Sequence, residues 1–253
     1  MPFLSWVPAP RYLLRRDRIL WHLRDIPPCK VLDIGCGPGA LIYELSRRGF
    51  EVFGVDRSKK ALELGRHLQS QTARMTLQPR LDERWIGTFD LLFSFEVVEH
   101  LEDDIGALRD WRRYLKLGGT MILSTPAHQR RWNAADEWAG HVRRYERREL
   151  VESIESAGFH VETIESYGFP LANIMDKLAA PTYRKRLQRK KKTHPDAAAL
   201  TDDSGSDRST HTKFWPLYSA RVSAKVMGFF GQLQRAFLNT ELGPGFIVLA
   251  RAV

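Results

Sequence analysis

The chain has 253 residues, a formal net charge of +9, 43% hydrophobic and 27% charged residues. That length suits one large α/β domain and excludes two full ones. Its two cysteines, Cys29 and Cys36, lie too close in sequence for a disulfide framework, which favours a reducing compartment. No apolar run reaches membrane-spanning length, and the proline-broken, arginine-rich start does not read as a signal peptide. A cytoplasmic protein is expected, with peripheral membrane contact left open.

Tyr12, Leu13, Leu14, Ile19, Leu20 and Leu23 recur at helical spacing among basic residues, which predicts an amphipathic helix over 11–23 stopped by Pro27 and Pro28. Val31, Leu32, Asp33 and Ile34 read as a buried strand, 35–39 as a glycine turn, and 40–48 as a helix ended by Gly49. A second strand over 51–55 ends in Asp56, and a helix over 58–69 takes Ser58 as its N-cap. Strands three and four fall at 75–78 and 89–95, the latter apolar on both faces as a central parallel strand requires. A helix over 103–115 stops at Gly118 and Gly119, and 120–124 is strand five. The aromatic segment 126–148 reads as an irregular active-site loop, followed by a helix over 149–157. Strand six falls at 160–165 and the last strand at 245–250.

Between those two strands lies an insertion, 169–243, with a helix near 171–192, a polar linker over 193–212 expected to be disordered, and a helix over about 216–238. The alternation predicts a Rossmann-like α/β fold. It has a seven-stranded, mostly parallel sheet, helices on both faces, and a helical lid inserted before the last strand. Residues 1–28 form an N-terminal helix or lid, and 29–168 with 244–253 the ligand-binding domain.

The pattern Gly35-x-Gly37-x-Gly39 between strand and helix lets the backbone approach a ligand and aims free N–H groups at it. A dinucleotide fingerprint would need Gly-x-Gly-x-x-Gly instead. Asp56, at the end of the second strand, suits two ribose hydroxyls. Loop, strand and Asp56 in register resemble the class I S-adenosylmethionine-dependent methyltransferases, over 29–168 and the last strand but not the insertion. The resemblance implies S-adenosylmethionine as cofactor, with Asp33, Gly35, Cys36, Gly37 and Gly39 at its methionine end. It implies Asp56, with Arg57 beside it, at the ribose, and Phe95 and Glu96, just after Ser94, on the sulfonium side. Family members often carry an aspartate for the adenine amine; this chain offers Leu81 to pack on the ring and Asp82 to reach the amine.

Glu96, Glu99 and His100 are spaced i, i+3, i+4, which predicts one face of a helical turn past strand four, where open α/β sheets bind ligands. Two carboxylates and an imidazole suit a divalent ion. With Gly140 and His141 further on, this Glu-x-x-Glu-His pattern resembles the ubiquinone-biosynthesis O-methyltransferases and the small-RNA 2′-O-methyltransferases. The resemblance implies a Mg²⁺-like ion held by Glu96, Glu99, His100 and His141. Without an ion, His141 or His100 is the candidate general base, and His128 reads as a lone loop histidine.

The expected acceptor is a small or lipid-like molecule methylated on oxygen. A nucleic-acid methyltransferase and a non-catalytic cofactor-binding subunit stay open as alternatives. Nucleic acid is disfavoured because the basic residues crowd into one run, 184–192. The insertion carries apolar stripes: Met175, Leu178, Tyr183 and Leu187, then Trp215, Leu217, Tyr218, Val222, Val226, Phe229, Phe230, Leu233 and Phe237. They read as a packed lid or as a face for an anionic membrane.

Overall fold

The computed structural model describes residues 8–193 and 221–253. The expected linker beyond Thr193 lies outside them, as do Trp215, Leu217, Tyr218 and the side chains of Val222 and Lys190 to Lys192. Seven strands make one sheet in the order β3-β2-β1-β4-β5-β7-β6. They are β1 Lys30–Ile34, β2 Glu51–Val55, β3 Met75–Gln78, β4 Phe89–Phe95, β5 Leu115–Pro126, β6 Phe159–Tyr167 and β7 Gly245–Ala252. The β1–β2, β2–β3, β1–β4 and β4–β5 pairs are parallel, whereas β7 runs antiparallel to both β5 and β6. The strand order reverses between β1 and β4, so the crevice past their C-terminal ends is where such a sheet binds its ligand.

The helices are α1 Pro10–His22, α2 Ala40–Arg47, α3 Lys59–Gln69, α4 Asp104–Arg112, α5 Ala134–Ala139, α6 Arg147–Ser156, α7 Leu171–Thr193 and α8 Arg221–Gln234. Apolar side chains that alternate along each strand feed two cores, one on each face: Leu32, Leu92 and Leu123 point into one, Val31, Phe93 and Ile122 into the other. Helix α1 begins with Pro10, whose missing N–H costs nothing at a first-turn position. It buries Leu14 and Ile19 and is pinned across the molecule by Arg18, which makes two 2.9 Å bonds to Glu165 of β6. Gln234 of α8 is buried between them, donating to the Leu14 carbonyl at 3.1 Å and accepting from the Gly168 N–H at 3.0 Å.

Three local expectations are corrected. The helix expected over 103–115 ends at Arg112, because the Tyr114 carbonyl accepts the Phe89 N–H and draws Leu115 into the sheet ahead of Gly118. The stretch 126–148 is not wholly irregular. It holds α5, started by a reciprocal capping box between Asn133 and Asp136, and α6 begins at Arg147, two residues before the expected start, on a second box between Glu146 and Glu149. Glu96, Glu99 and His100 do not share a helical face: Glu96 is left-handed (φ 59°), and a short 3₁₀ turn starts only at Val98. In the insertion, Leu187 is buried, while Leu178 and Phe229 stand 70% and 63% exposed, so the stripes are only partly packed. No described helix is long and apolar enough to cross a membrane.

Candidate active site

A cavity of about 1450 Å³ opens at the C-terminal ends of β1 and β4. The glycine loop, Asp33, Asp56, Arg57 and Leu81 line one end; His100, His141, Trp138, Asp176 and Tyr183 line the other, with Phe95 and Glu96 on the same wall. Helix α1 closes the top with Arg11, Tyr12 and Arg15.

The loop's shape follows from its backbone. Gly35 (φ 77°) and Gly37 (φ 56°) are left-handed, and a Cβ on Gly35 would sit 2.3 Å from Val97 Cγ2, so only glycine fits there. Asp56 ties the loop to α3: its carboxylate accepts the Gly37 N–H at 2.7 Å and the Ser58 N–H at 2.8 Å. With four lone-pair sites, it keeps capacity for further donors. Asp33 is 3% exposed, and its Oδ1 has no hydrogen-bond partner among the described residues. Burial pushes its carboxyl up to about 7, although the Arg15 charge works against this. Burial likewise raises the Cys36 thiol.

Two sequence expectations end elsewhere. Asp82 does not line the cavity; it caps the 3₁₀ turn Glu83–Trp85 and is held by Arg84 through three side-chain bonds, because the turn's open N–H groups and that guanidinium are its nearest donors. Gly39 serves as the N-cap of α2 (φ 73°), behind the wall rather than on it.

Glu96 leaves the expected metal set. Its left-handed backbone turns the carboxylate toward α1, where Arg11 and Arg15 pair with it at 3.2 and 3.1 Å and the Ser124 and Tyr167 hydroxyls bond it at 3.0 and 3.2 Å. Burial would raise this carboxyl, but the two guanidinium groups bring it down to about 2. The backbone strain, about 1–2 kcal/mol, is offset by those charges.

Glu99, His100 and His141 do come together, with ligand atoms within 4.8 Å of one another. Glu99 is fully buried and its Oε1 has no hydrogen-bond partner among the described residues; it lies 3.9 Å from His141 Nε2. Burial, and then the Glu96 charge, push its carboxyl up. Burial and the neighbouring His141 hold the His100 imidazole down to about 4. His141 Nδ1 lies 2.9 Å from Asp136 Oδ1. His128 sits away from the cavity, buried between Glu146 and Glu241.

Sequence reasoning missed Arg11 and Arg15, read only as the basic flank of a helix, and also Asp136, Arg144 and Asp176. The Asn133–Asp136 capping spacing was the one visible signal for the third.

The methyltransferase-domain family matches residues 9–164. The chain belongs to that family. S-adenosylmethionine is the family's cofactor, and the chain fits it: Asp33, whose buried Oδ1 has no hydrogen-bond partner among the described residues, lines the same cavity as Gly37, where a Cβ would meet nothing within 4 Å. The ubiquinone biosynthesis O-methyltransferase of Alkalilimnicola ehrlichii is 34% identical over 117 residues, 44% of this chain and 47% of that protein. The chain spans about half the length of the curated relatives it matches. The solved S-adenosylmethionine dependent methyltransferase from Mesorhizobium loti superposes with a TM-score of 0.56, 18% identity and coverage of 96% of this chain and 98% of that one. The cyclase SpnF superposes with a TM-score of 0.61 at 16% identity, covering 95% and 80%. These likenesses show the class I fold; a cyclase among them illustrates that the fold alone does not select the reaction.

Proposed function

We propose that this methyltransferase transfers a methyl group to an oxygen of a small or lipid-like hydroxylated acceptor. One observation carries the reading: a single cavity joins the glycine loop and the buried Asp33 carboxyl to the imidazoles of His100 and His141. The kinship with O-methyltransferases supports oxygen as the methylated atom.

S-adenosylmethionine supplies, when bound, a methyl activated by its sulfonium. Asp33 receives the cationic methionine end, where a buried carboxylate gains most from an opposite charge. The Gly35 to Pro38 backbone and the N-terminus of α2 hold that end's carboxylate, Asp56 the ribose hydroxyls, and Leu81 the adenine face. Phe95 and Glu96 form the wall between the two ends. His141 takes the acceptor's hydroxyl proton at Nε2, the ring nitrogen not engaged by Asp136. Trp138 and Tyr183, with ring centroids 5.3 Å apart, hold the apolar body of the acceptor.

A second reading has a specific basis. Glu99, His100 and His141 fit a divalent ion, because a buried carboxylate oxygen without a hydrogen-bond partner among the described residues converges with two imidazoles. Such an ion would lower the acceptor hydroxyl's pKa and hold it in place. On α7, exposed Ile174 and Leu178, the latter at the cavity's edge, together with Lys177, Arg184 and Lys185 support peripheral contact with an anionic membrane; flotation with anionic vesicles at low salt tests that part.

The deciding experiment incubates small-molecule, lipid and RNA extracts with methyl-labelled S-adenosylmethionine and follows the label. Label in a methoxy group of a small molecule or lipid is expected. Label entering RNA instead would overturn the acceptor class, and calorimetry showing no S-adenosylmethionine binding would overturn the whole reading. Exhaustive demetallation separates the two mechanisms: it leaves cofactor affinity intact in both, but removes turnover only where the cluster works through an ion.

A further inference from the structure

The buried carboxylate of Asp136 stands behind His141, outside every role assigned above. It is 1% exposed and receives four donors. His141 Nδ1 and Arg144 Nε meet Oδ1 at 2.9 and 2.7 Å. Arg144 Nη2 and the Asn133 N–H meet Oδ2, both at 2.8 Å. A carboxylate has about four lone-pair sites, so this one is filled. Arg144, itself 5% exposed, balances the charge, and its Nη1 donates to the Ala127 carbonyl.

Three of these donors, two guanidinium N–H groups and one backbone N–H, cannot become acceptors. Asp136 has no hydrogen to give, so the fourth partner must bring one. His141 is thereby held with its proton on Nδ1, and its Nε2 lone pair faces the cavity and Glu99. The His141 N–H also bonds the Asp136 carbonyl at 3.0 Å, and Gly140, left-handed at φ 78°, makes the turn that brings the two residues face to face.

We infer that Asp136, locked by Arg144, is a positioning residue that fixes the ring orientation and tautomer of His141 for methyl transfer. The tautomer serves a base and a metal ligand alike, since both need the lone pair on Nε2. The inference rests on the proposed function only in the use made of that lone pair.

The test reads the tautomer directly. Long-range ¹H–¹⁵N correlation spectra of histidine-labelled full-length protein with S-adenosylhomocysteine added should show a protonated, pyrrole-type Nδ1 and a pyridine-type Nε2 for His141. Asp136→Asn keeps the shape but replaces one oxygen with a donor amide. Placed at Oδ2, that amide faces two donors that cannot adapt. Placed at Oδ1 it faces only one, because His141 can give up its Nδ1 proton and accept. The variant should therefore exchange the two signals, moving the proton to Nε2, while S-adenosylhomocysteine affinity stays within about twofold, a difference too small to reflect a lost cofactor contact.

A wild-type His141 protonated on Nε2 overturns the inference, and it does so even where the variant fails to fold. A folded variant that keeps the wild-type tautomer also overturns it. Failure of the functional reading looks different: the wild type would then bind no cofactor, whatever its tautomer.

Discussion

The two ends of the cavity are built in different ways. The cofactor end comes mainly from a stretch contiguous in sequence, β1, the glycine loop and α2, with Asp56 and Arg57 added from the end of β2 and Leu81 from beyond β3. Its geometry is stored in the backbone, in left-handed glycines and in N–H groups that a carboxylate gathers. The acceptor end is assembled from α1, the turn after β4, α5 and α7, and its geometry is stored in side-chain pairs: Arg11 and Arg15 on Glu96, and Asp136 between His141 and Arg144. A backbone site should fail through sterics and lose cofactor, whereas a side-chain site should fail through chemistry and lose turnover.

The largest expected effect breaks the acceptor end alone. His141→Ala should lower turnover by about 10²–10⁴-fold, the usual worth of a general base, and leave S-adenosylhomocysteine affinity unchanged by calorimetry. Equal loss of binding would erase the distinction between the two ends.

Gly35→Ala should do the reverse. Its Cβ would meet Val97 at 2.3 Å on a left-handed backbone, so cofactor affinity should drop by about a hundredfold, from strain and overpacking together. Gly37→Ala meets no protein atom, so the fold bears only the conformational cost of about 1–2 kcal/mol, while its Cβ intrudes on the cradle, and its loss of affinity should be about tenfold. Should the two variants weaken binding equally, close approach to Val97 is not what Gly35 provides.

Asp56→Ala should weaken S-adenosylmethionine binding by about tenfold or more, at about 1.5–3 kcal/mol for hydrogen bonds to a charged acceptor. Because the carboxylate also holds the Gly37 and Ser58 N–H groups, hydrogen exchange at both amides should speed up even without cofactor.

The smallest effect concerns how α1 is held over both ends. Burial alone would raise the Glu165 carboxyl, but bonds from His22 and Arg18 bring it from 4.5 down to about 2. A carboxylate lowered on folding stabilises the fold fully above its unfolded value and loses that contribution as the pH falls toward its folded value. The stabilisation is therefore complete above pH 4.5 and fades between there and about 2. It is on the order of 2 kcal/mol for a well-buried pair. Denaturant titrations at a series of pH values should show a shallower acid slope for Glu165→Gln than for the wild type. An unchanged slope would mean that the Arg18 and His22 bonds contribute nothing to stability.

This contrast also explains what could be read from the chain alone. The sheet was legible because burial on both faces makes β4, Phe89 to Phe95, apolar at every position but Asp90 and Ser94, and because Ser58 marks a helix start that its hydroxyl caps at 3.2 Å. The cofactor loop was legible because positive φ demands glycine within a few residues of the strand, so spacing and geometry coincide. Asp82 misled because a carboxylate near the right strand takes whatever donor is closest, here Arg84 two residues on.

Glu96 misled for a related reason. Its i, i+3, i+4 spacing to Glu99 and His100 describes a helix, but its backbone is left-handed and its carboxylate pairs with two arginines from the N-terminal helix. Sequence thus determined those features whose physics is local: strand polarity, helix caps and the glycine turn. Which carboxylate serves which partner was decided by tertiary structure, because a charge chooses among donors brought within about 4 Å, and sequences 81 or 85 residues apart carry no record of that choice.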